Sequence, residues 1–164
     1  MALDQHASGG APPLTRCHGR LSGLALLAAV VLGGCGSSNS LSSKQLQTQA
    51  TRICSLASLR TNRIPTPASP AATAAFLERG ATALTPALTG LRTLHPPSDV
   101  ADVYTSTVGT LAQEIRYLSA TARDIAHGVD PVKAMQELQQ RLGPLESQEN
   151  GGWQALQLPE CMNR

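Results

Sequence analysis

Thiol and imidazole side chains are the groups in this 164-residue chain whose type and spacing could do chemistry. Beyond residue 35 there are two histidines, His95 and His127, and the whole chain holds four cysteines, Cys17, Cys35, Cys54 and Cys161. The sequence contains no His-Glu-x-x-His, Cys-x-x-Cys or Gly-x-Ser-x-Gly motif and no glycine-rich phosphate loop. No pair of titratable residues is spaced for acid–base work. The pattern therefore predicts a protein that is not an enzyme.

Weaker candidate sites involve the later histidines. His127 with Asp124 and Asp130 could ligate a metal ion, and Met135 with either histidine could hold a haem. We favour structural roles instead, because both histidines fall at predicted helix ends and Met135 lies on an apolar stripe, where methionine fills gaps. Glu114 lies one step off such a stripe and is expected to face solvent. The prediction is that the chain holds no metal and no resident cofactor.

An apolar run from Leu21 to Leu32 follows the basic residues Arg16 and Arg20. At about a dozen residues it has the length of a signal-peptide core and is too short to span a membrane. The run ends in Leu32-Gly33-Gly34-Cys35, which resembles the lipobox of bacterial lipoproteins: a branched apolar residue, two small residues and a cysteine. The alternative is a chance match in a secretion signal or around a buried cysteine.

This resemblance implies cleavage between Gly34 and Cys35 and attachment of a diacylglyceryl group to the Cys35 sulfur, with N-acylation of the new terminus in many bacteria. Two or more acyl chains on one residue hold a protein stably on a bilayer. We therefore expect a cleaved signal peptide at residues 1–34, a lipidated cysteine with a Gly/Ser-rich tether at 35–43, and a helical domain at 44–164. The expected location is the outer face of the cytoplasmic membrane.

The same reasoning leaves two cysteines for the mature domain. Cys17 would be removed with the signal and Cys35 would carry lipid, so Cys54 and Cys161 remain in an oxidising environment where disulfides persist. We expect a disulfide between Cys54 and Cys161, worth about 4–5 kcal/mol in the chain-entropy model. Two free thiols are the alternative.

Four amphipathic helices with short connections are predicted for the domain. The first begins at Ser42, which forms a capping box with Gln45, while Leu41 and Leu46 form a hydrophobic staple. The third has the longest apolar stripe: Tyr104, Val108, Leu111, Ile115, Leu118, Ala122 and Ile125. The other predicted starts are Ser69-Pro70, Ser98-Asp99 and Asp130-Pro131.

Glycine and proline predict where these helices bend or end. Pro86 predicts a kink without a clean break, Gly128 ends the third helix, and Gly143-Pro144 interrupts the fourth. The tail from Gly151 to Cys161 is predicted to form a short helical segment of its own, held back on the bundle by Cys161. Trp153 could mark a ligand surface, but we favour a place at the end of the core. The predicted fold is an all-α up-down four-helix bundle.

Composition narrows the classes of partner. The net charge of +2 is too mild a basic balance to suggest nucleic acid or an anionic surface as the main partner, and the basic residues are scattered singly, which disfavours nucleic acid. With one Trp, one Phe and two Tyr, the core must be built from small and aliphatic side chains, which suits closely packed helices better than a β-sandwich.

The mature chain is similar to small exported helical proteins of high-GC Gram-positive bacteria, through Cys54 and the closing Trp-x-x-Leu-x-Leu-Pro-x-Cys. That resemblance implies a location and a fold but no activity. We expect a non-enzymatic binding or accessory module of the cell envelope, with an envelope protein as a possible partner. The alternative is a carrier of a small ligand or lipid in an apolar cavity near Gly80, Gly109 and Pro86. The sequence predicts no oligomeric state.

Overall fold

The computed structural model describes residues 39–163. This part of the chain contains four α-helices, α1 to α4, and no β-strand. Each helix packs against the next in an up-down bundle, which confirms the predicted fold class. The helices are α1 (Ser43–Thr61), α2 (Thr73–Arg92), α3 (Ala101–Ala126) and α4 (Pro131–Ala155), and two short 3₁₀ helices lie at Pro70–Ala72 and Pro159–Met162.

Helix α1 begins as its capping pattern predicts. The Gln45 backbone N–H donates to Ser42 Oγ at 3.3 Å, and the Ser42 N–H donates to Gln45 Oε1 at 2.9 Å. These two bonds use N–H groups that have no partner inside the helix. Leu41 packs against the core cluster that contains Leu46, which is the contact expected of a hydrophobic staple.

The next two helices begin slightly later than predicted. Ser69 makes no side-chain cap bond; the 3₁₀ helix Pro70–Ala72 follows it, and α2 starts at Thr73. Pro86 lies on the exposed side of α2, which continues through it without a break, as predicted. Helix α3 starts at Ala101 instead of at Ser98-Asp99.

The fourth helix corrects one prediction. The Gly143-Pro144 pair does not interrupt α4, which runs from Pro131 to Ala155 and includes Trp153. The tail therefore continues α4, and the separate short helix is Pro159–Met162. Both Gly143 and Pro144 are exposed, so the carbonyl that loses its partner at Pro144 can be hydrated, while the helix buries Leu138 before this point and Trp153 after it.

Helices α3 and α4 end in the same backbone motif with different residues. Gly128 has φ 96°, and the Val129 N–H donates to the Asp124 carbonyl at 3.0 Å. At the end of α4, Gln157 has φ 57°, and the Leu158 N–H donates to the Trp153 carbonyl at 2.8 Å. Both are Schellman caps with a left-handed residue, a position that favours glycine. Gln157 also accepts from Gln47 Nε2 of α1 at 3.1 Å.

The predicted disulfide is present and joins α1 to the C-terminal 3₁₀ helix. The two sulfur atoms of Cys54 and Cys161 are 2.00 Å apart, and both residues are fully buried. The 3₁₀ helix Pro159–Met162 packs on α1 and on α4, so the last residues of the chain lie between the first and last helices.

Two adjacent glycines of α4 have different surroundings. A Cβ atom at Gly152 would overlap Thr107 Oγ1 and lie 3.0 Å from Thr107 Cβ, whereas a Cβ atom at Gly151 would meet nothing within 4 Å. Gly152 therefore permits the close approach of α4 to α3.

We expect Gly152→Ala to lower the free energy of unfolding by about 1–3 kcal/mol through this overlap. Gly151→Ala should raise it by about 0.5–1 kcal/mol, because alanine is the better helix former. Urea unfolding followed by tryptophan fluorescence measures both. Adding Thr107→Ala should recover much of the loss at Gly152; equal stability of the two single variants would contradict the close approach.

Candidate functional site

The histidines and their neighbours do not form a metal site in the described residues. His127 follows α3 at its C-terminus and is exposed, as are Asp124 and Asp130. The Asp130 carboxylate accepts from the Lys133 N–H at 2.9 Å and so caps α4. Among residues 39–163, no group of three or more His, Cys, Asp or Glu side chains is placed to hold a metal ion.

The other residues considered as site candidates, His95, Met135 and Glu114, lie in different parts of the bundle. His95 is exposed in the connection between α2 and α3, where its backbone carbonyl accepts from the Leu41 N–H at 2.7 Å. Met135 is half-buried against a small cluster of Leu77, Ala122 and Leu138, where it fills space. Glu114 is half-buried and not fully in solvent, contrary to expectation. The structure assigns these residues to separate places in the bundle.

Trp153 belongs to the core, as favoured from the sequence. Its side chain is fully buried, and its ring meets that of Tyr104 edge to face with the centroids 6.5 Å apart. Trp153 Nε1 donates to Glu149 Oε1 at 3.0 Å, and Glu149 is itself only 2% exposed. Sequence reasoning missed this carboxylate, although its place one helical turn before the tryptophan was a usable signal.

Tyr104 supplies the second buried polar contact. Its hydroxyl donates to the Leu91 carbonyl at 2.8 Å and so links the start of α3 to the end of α2. Burial raises the pKa of the Tyr104 phenol above its ordinary value, because desolvation disfavours the phenolate.

Two clefts among the described residues are open to solvent. One of about 270 Å³ lies beside Tyr104 and is lined in part by Gly109, which is exposed. Another of about 440 Å³ lies between Pro67–Pro70 and the start of α4. A Cβ atom at Gly80 or Gly109 would meet nothing within 4 Å. Pro86 is exposed, like Gly109, whereas Gly80 is half-buried.

The predicted lipid-attachment and cleavage residues, Cys35 and Gly34, lie outside the described residues, as does the apolar run before them. Within residues 39–163, no helix has the length and apolar character needed to cross a bilayer. Comparison of the chain with protein-family models, curated proteins and solved structures finds no match.

The contact between Glu149 and Trp153 can be tested by removing the acceptor. Glu149→Leu should lower the free energy of unfolding by about 1–3 kcal/mol, because the buried indole N–H loses the acceptor that Glu149 supplies. Glu149→Gln keeps an amide oxygen and should cost less. Exposed Glu146→Gln is the control and should change stability by less than about 0.5 kcal/mol. Equal effects of all three variants in urea unfolding would exclude this role.

The burial of Tyr104 predicts a loss of stability in alkali. Above about pH 10 the unfolded chain releases the phenol proton while the folded chain retains it, so the free energy of unfolding falls as pH rises. Tyr104→Phe should flatten this decline, apart from any constant loss due to the missing hydrogen bond. Half-buried Tyr117→Phe serves as the control. Urea unfolding at several pH values measures the slopes; an unchanged slope in Tyr104→Phe would disprove the assignment.

Proposed function

We propose that this protein is a lipoprotein anchored through Cys35 to the outer face of the cytoplasmic membrane, where its bundle acts as a non-enzymatic binding or accessory module of the cell envelope. The observation that carries the proposal is the Leu32-Gly33-Gly34-Cys35 sequence at the end of a short apolar run. Small residues before the cysteine suit the cleavage site of a lipoprotein signal, and the run has the length of a signal core.

The disulfide between Cys54 and Cys161 supports export. Structural disulfides persist in oxidising compartments and are rare in the cytosol. Both sulfur atoms lie in the core, on elements that are 107 residues apart in sequence. This bond is the expected state of the two cysteines that remain when Cys17 is removed and Cys35 carries lipid.

The start of the folded part also supports the proposal. Helix α1 begins at Ser43, eight residues after Cys35, and the capping box at Ser42 defines that start. Eight residues of extended chain span at most about 29 Å. A lipid on Cys35 would therefore keep the bundle beside the bilayer.

The buried polar groups among the described residues support the proposal that the protein binds its partner through the surface of the bundle. Glu149 and Trp153 bond to each other inside the core, and the Tyr104 hydroxyl bonds to a backbone carbonyl. These contacts stabilise helix packing. A binding or accessory module would then use exposed side chains, which agrees with the solvent-open clefts.

Replacing Cys35 by Ala tests the anchor. In a bacterium that processes lipoproteins, the wild-type protein should begin at Cys35, carry the mass of a diacylglyceryl group and sediment with membranes. Cys35→Ala should lose both the lipid mass and stable membrane attachment, because its side chain has no sulfur to form the thioether. Intact-mass analysis and membrane fractionation measure the two effects.

Cys17→Ala is the matched control, since this cysteine also precedes the folded domain and should be discarded with the signal. It should leave lipid mass and sedimentation unchanged. Release of both wild type and Cys35→Ala without any lipid mass would reject the anchor and favour a freely diffusing carrier. Co-purification of a small ligand or lipid with the unanchored protein would support that alternative.

A further inference from the structure

The charges of the folded domain are divided unevenly along the chain. Between residues 39 and 77 there are four basic side chains and no acidic one, whereas residues 78–163 hold ten acidic and six basic side chains. The four are Lys44, Arg52, Arg60 and Arg63, and all of them are exposed. The near-neutral total is therefore the sum of a basic segment, residues 39–77, which includes α1, and a segment of net negative charge, residues 78–163. Such asymmetry is typical of proteins that meet an anionic surface.

Exposed leucines lie among these basic residues. Leu56 is 44% exposed and Leu59 is 56% exposed, so two of the few large apolar side chains in solvent lie on α1. Residues three and four apart share one face of a helix. We define the outer face of α1 as Arg52, Leu56, Leu59, Arg60 and the adjoining Arg63.

The outer face of α1 is directed away from the core. The buried residues of α1 are Leu46, Ala50, Cys54 and Ala57, which lie on the opposite side of the helix by its periodicity. The last turn of α1 holds Arg60, where a positive charge also suits the helix dipole. That effect does not account for Arg52 in the middle of the helix or for the two exposed leucines.

We propose that the outer face of α1 lies on an anionic lipid surface beside the anchor. Leu56 and Leu59 enter the headgroup region, and the arginine guanidinium groups contact lipid phosphates. Interfacial helices combine apolar and basic side chains in this way and lie about 5–10 Å deep at the headgroup boundary. This proposal rests on the proposed function, because the anchor at Cys35 brings the domain to the membrane. Helix α1 begins eight residues after Cys35 and so stays within reach of the bilayer.

Tryptophan substitution can report which face of the bundle meets the lipid. Leu59 and Val132 are 56% and 57% exposed, on α1 and α4, so Leu59→Trp and Val132→Trp are matched probes. The native Trp153 is buried and supplies the same background in both. Each full-length variant is processed in the same bacterium, purified and mixed with vesicles of phosphatidylglycerol and brominated phosphatidylcholine, whose bromine atoms quench nearby indoles.

The emission added by Leu59→Trp should fall about two-fold or more on these vesicles, because the side chain enters the headgroup region. That of Val132→Trp should remain close to its value in solution. The quenching at Leu59→Trp should weaken on vesicles of phosphatidylcholine alone and in about 1 M salt, which shortens the Debye length to about 3 Å. Arg52→Glu with Arg63→Glu in the Leu59→Trp protein should have the same effect.

Equal quenching of the two probes, no quenching of Leu59→Trp, or quenching that does not depend on lipid charge would overturn the proposal. The comparisons of salt and of lipid composition use Leu59→Trp without further substitutions. They therefore test the dependence on charge even if the Arg52→Glu, Arg63→Glu variant folds poorly. Intact mass distinguishes failure of the α1 proposal from failure of the anchor. Lipidated protein without quenching of Leu59→Trp would reject the lipid contact of α1 and support the anchor. Unlipidated protein with quenching would reject the anchor and support the lipid contact of α1.

Discussion

The disulfide between Cys54 and Cys161 is the constraint on which the arrangement of the bundle depends. It joins the middle of α1 to the C-terminal 3₁₀ helix, and that short helix also packs on α4. Leu158 is fully buried just before it, so the end of the chain is part of the core. The first and last segments thus hold each other in place, although α1 otherwise packs mainly on α2. A cross-link across so long a loop removes much of the freedom of the unfolded chain.

The scarcity of aromatic residues explains how the interior is filled. Alanine supplies two of the four buried residues of α1 and two of the seven of α2, and such small side chains let helices approach closely. The few large polar rings then need partners inside the core, because an unpaired buried donor is costly. Tyr104 finds a carbonyl at the end of α2, and Trp153 finds the carboxylate of Glu149 one turn earlier in α4. The interior is therefore held together both by close helix packing and by these buried hydrogen bonds.

The surface has a different organisation from the interior. The basic side chains at the start of the domain lie mainly on α1, the helix that follows the predicted lipid site in sequence, whereas acidic residues outnumber basic ones among residues 78–163 as a whole. The proposed anchor at Cys35 and the proposed lipid contact of the outer face of α1 would both hold the domain at the bilayer.

Local signals in the sequence determined most helix positions: the capping box at Ser42, the cap at Asp130 and the glycine stop at Gly128 each act within one or two turns. Cysteine count, together with the lipobox, also predicted the correct disulfide. Tertiary structure decided the continuity of α4 through Pro144, the burial of Glu149 and the left-handed Gln157. Each of these carries a cost that local propensity would avoid. Trp153 donates to the buried Glu149, and Gln47 of α1 donates to Gln157. The segregation of charge was present in the sequence, but only the packing of α1 showed which of its faces remains exposed.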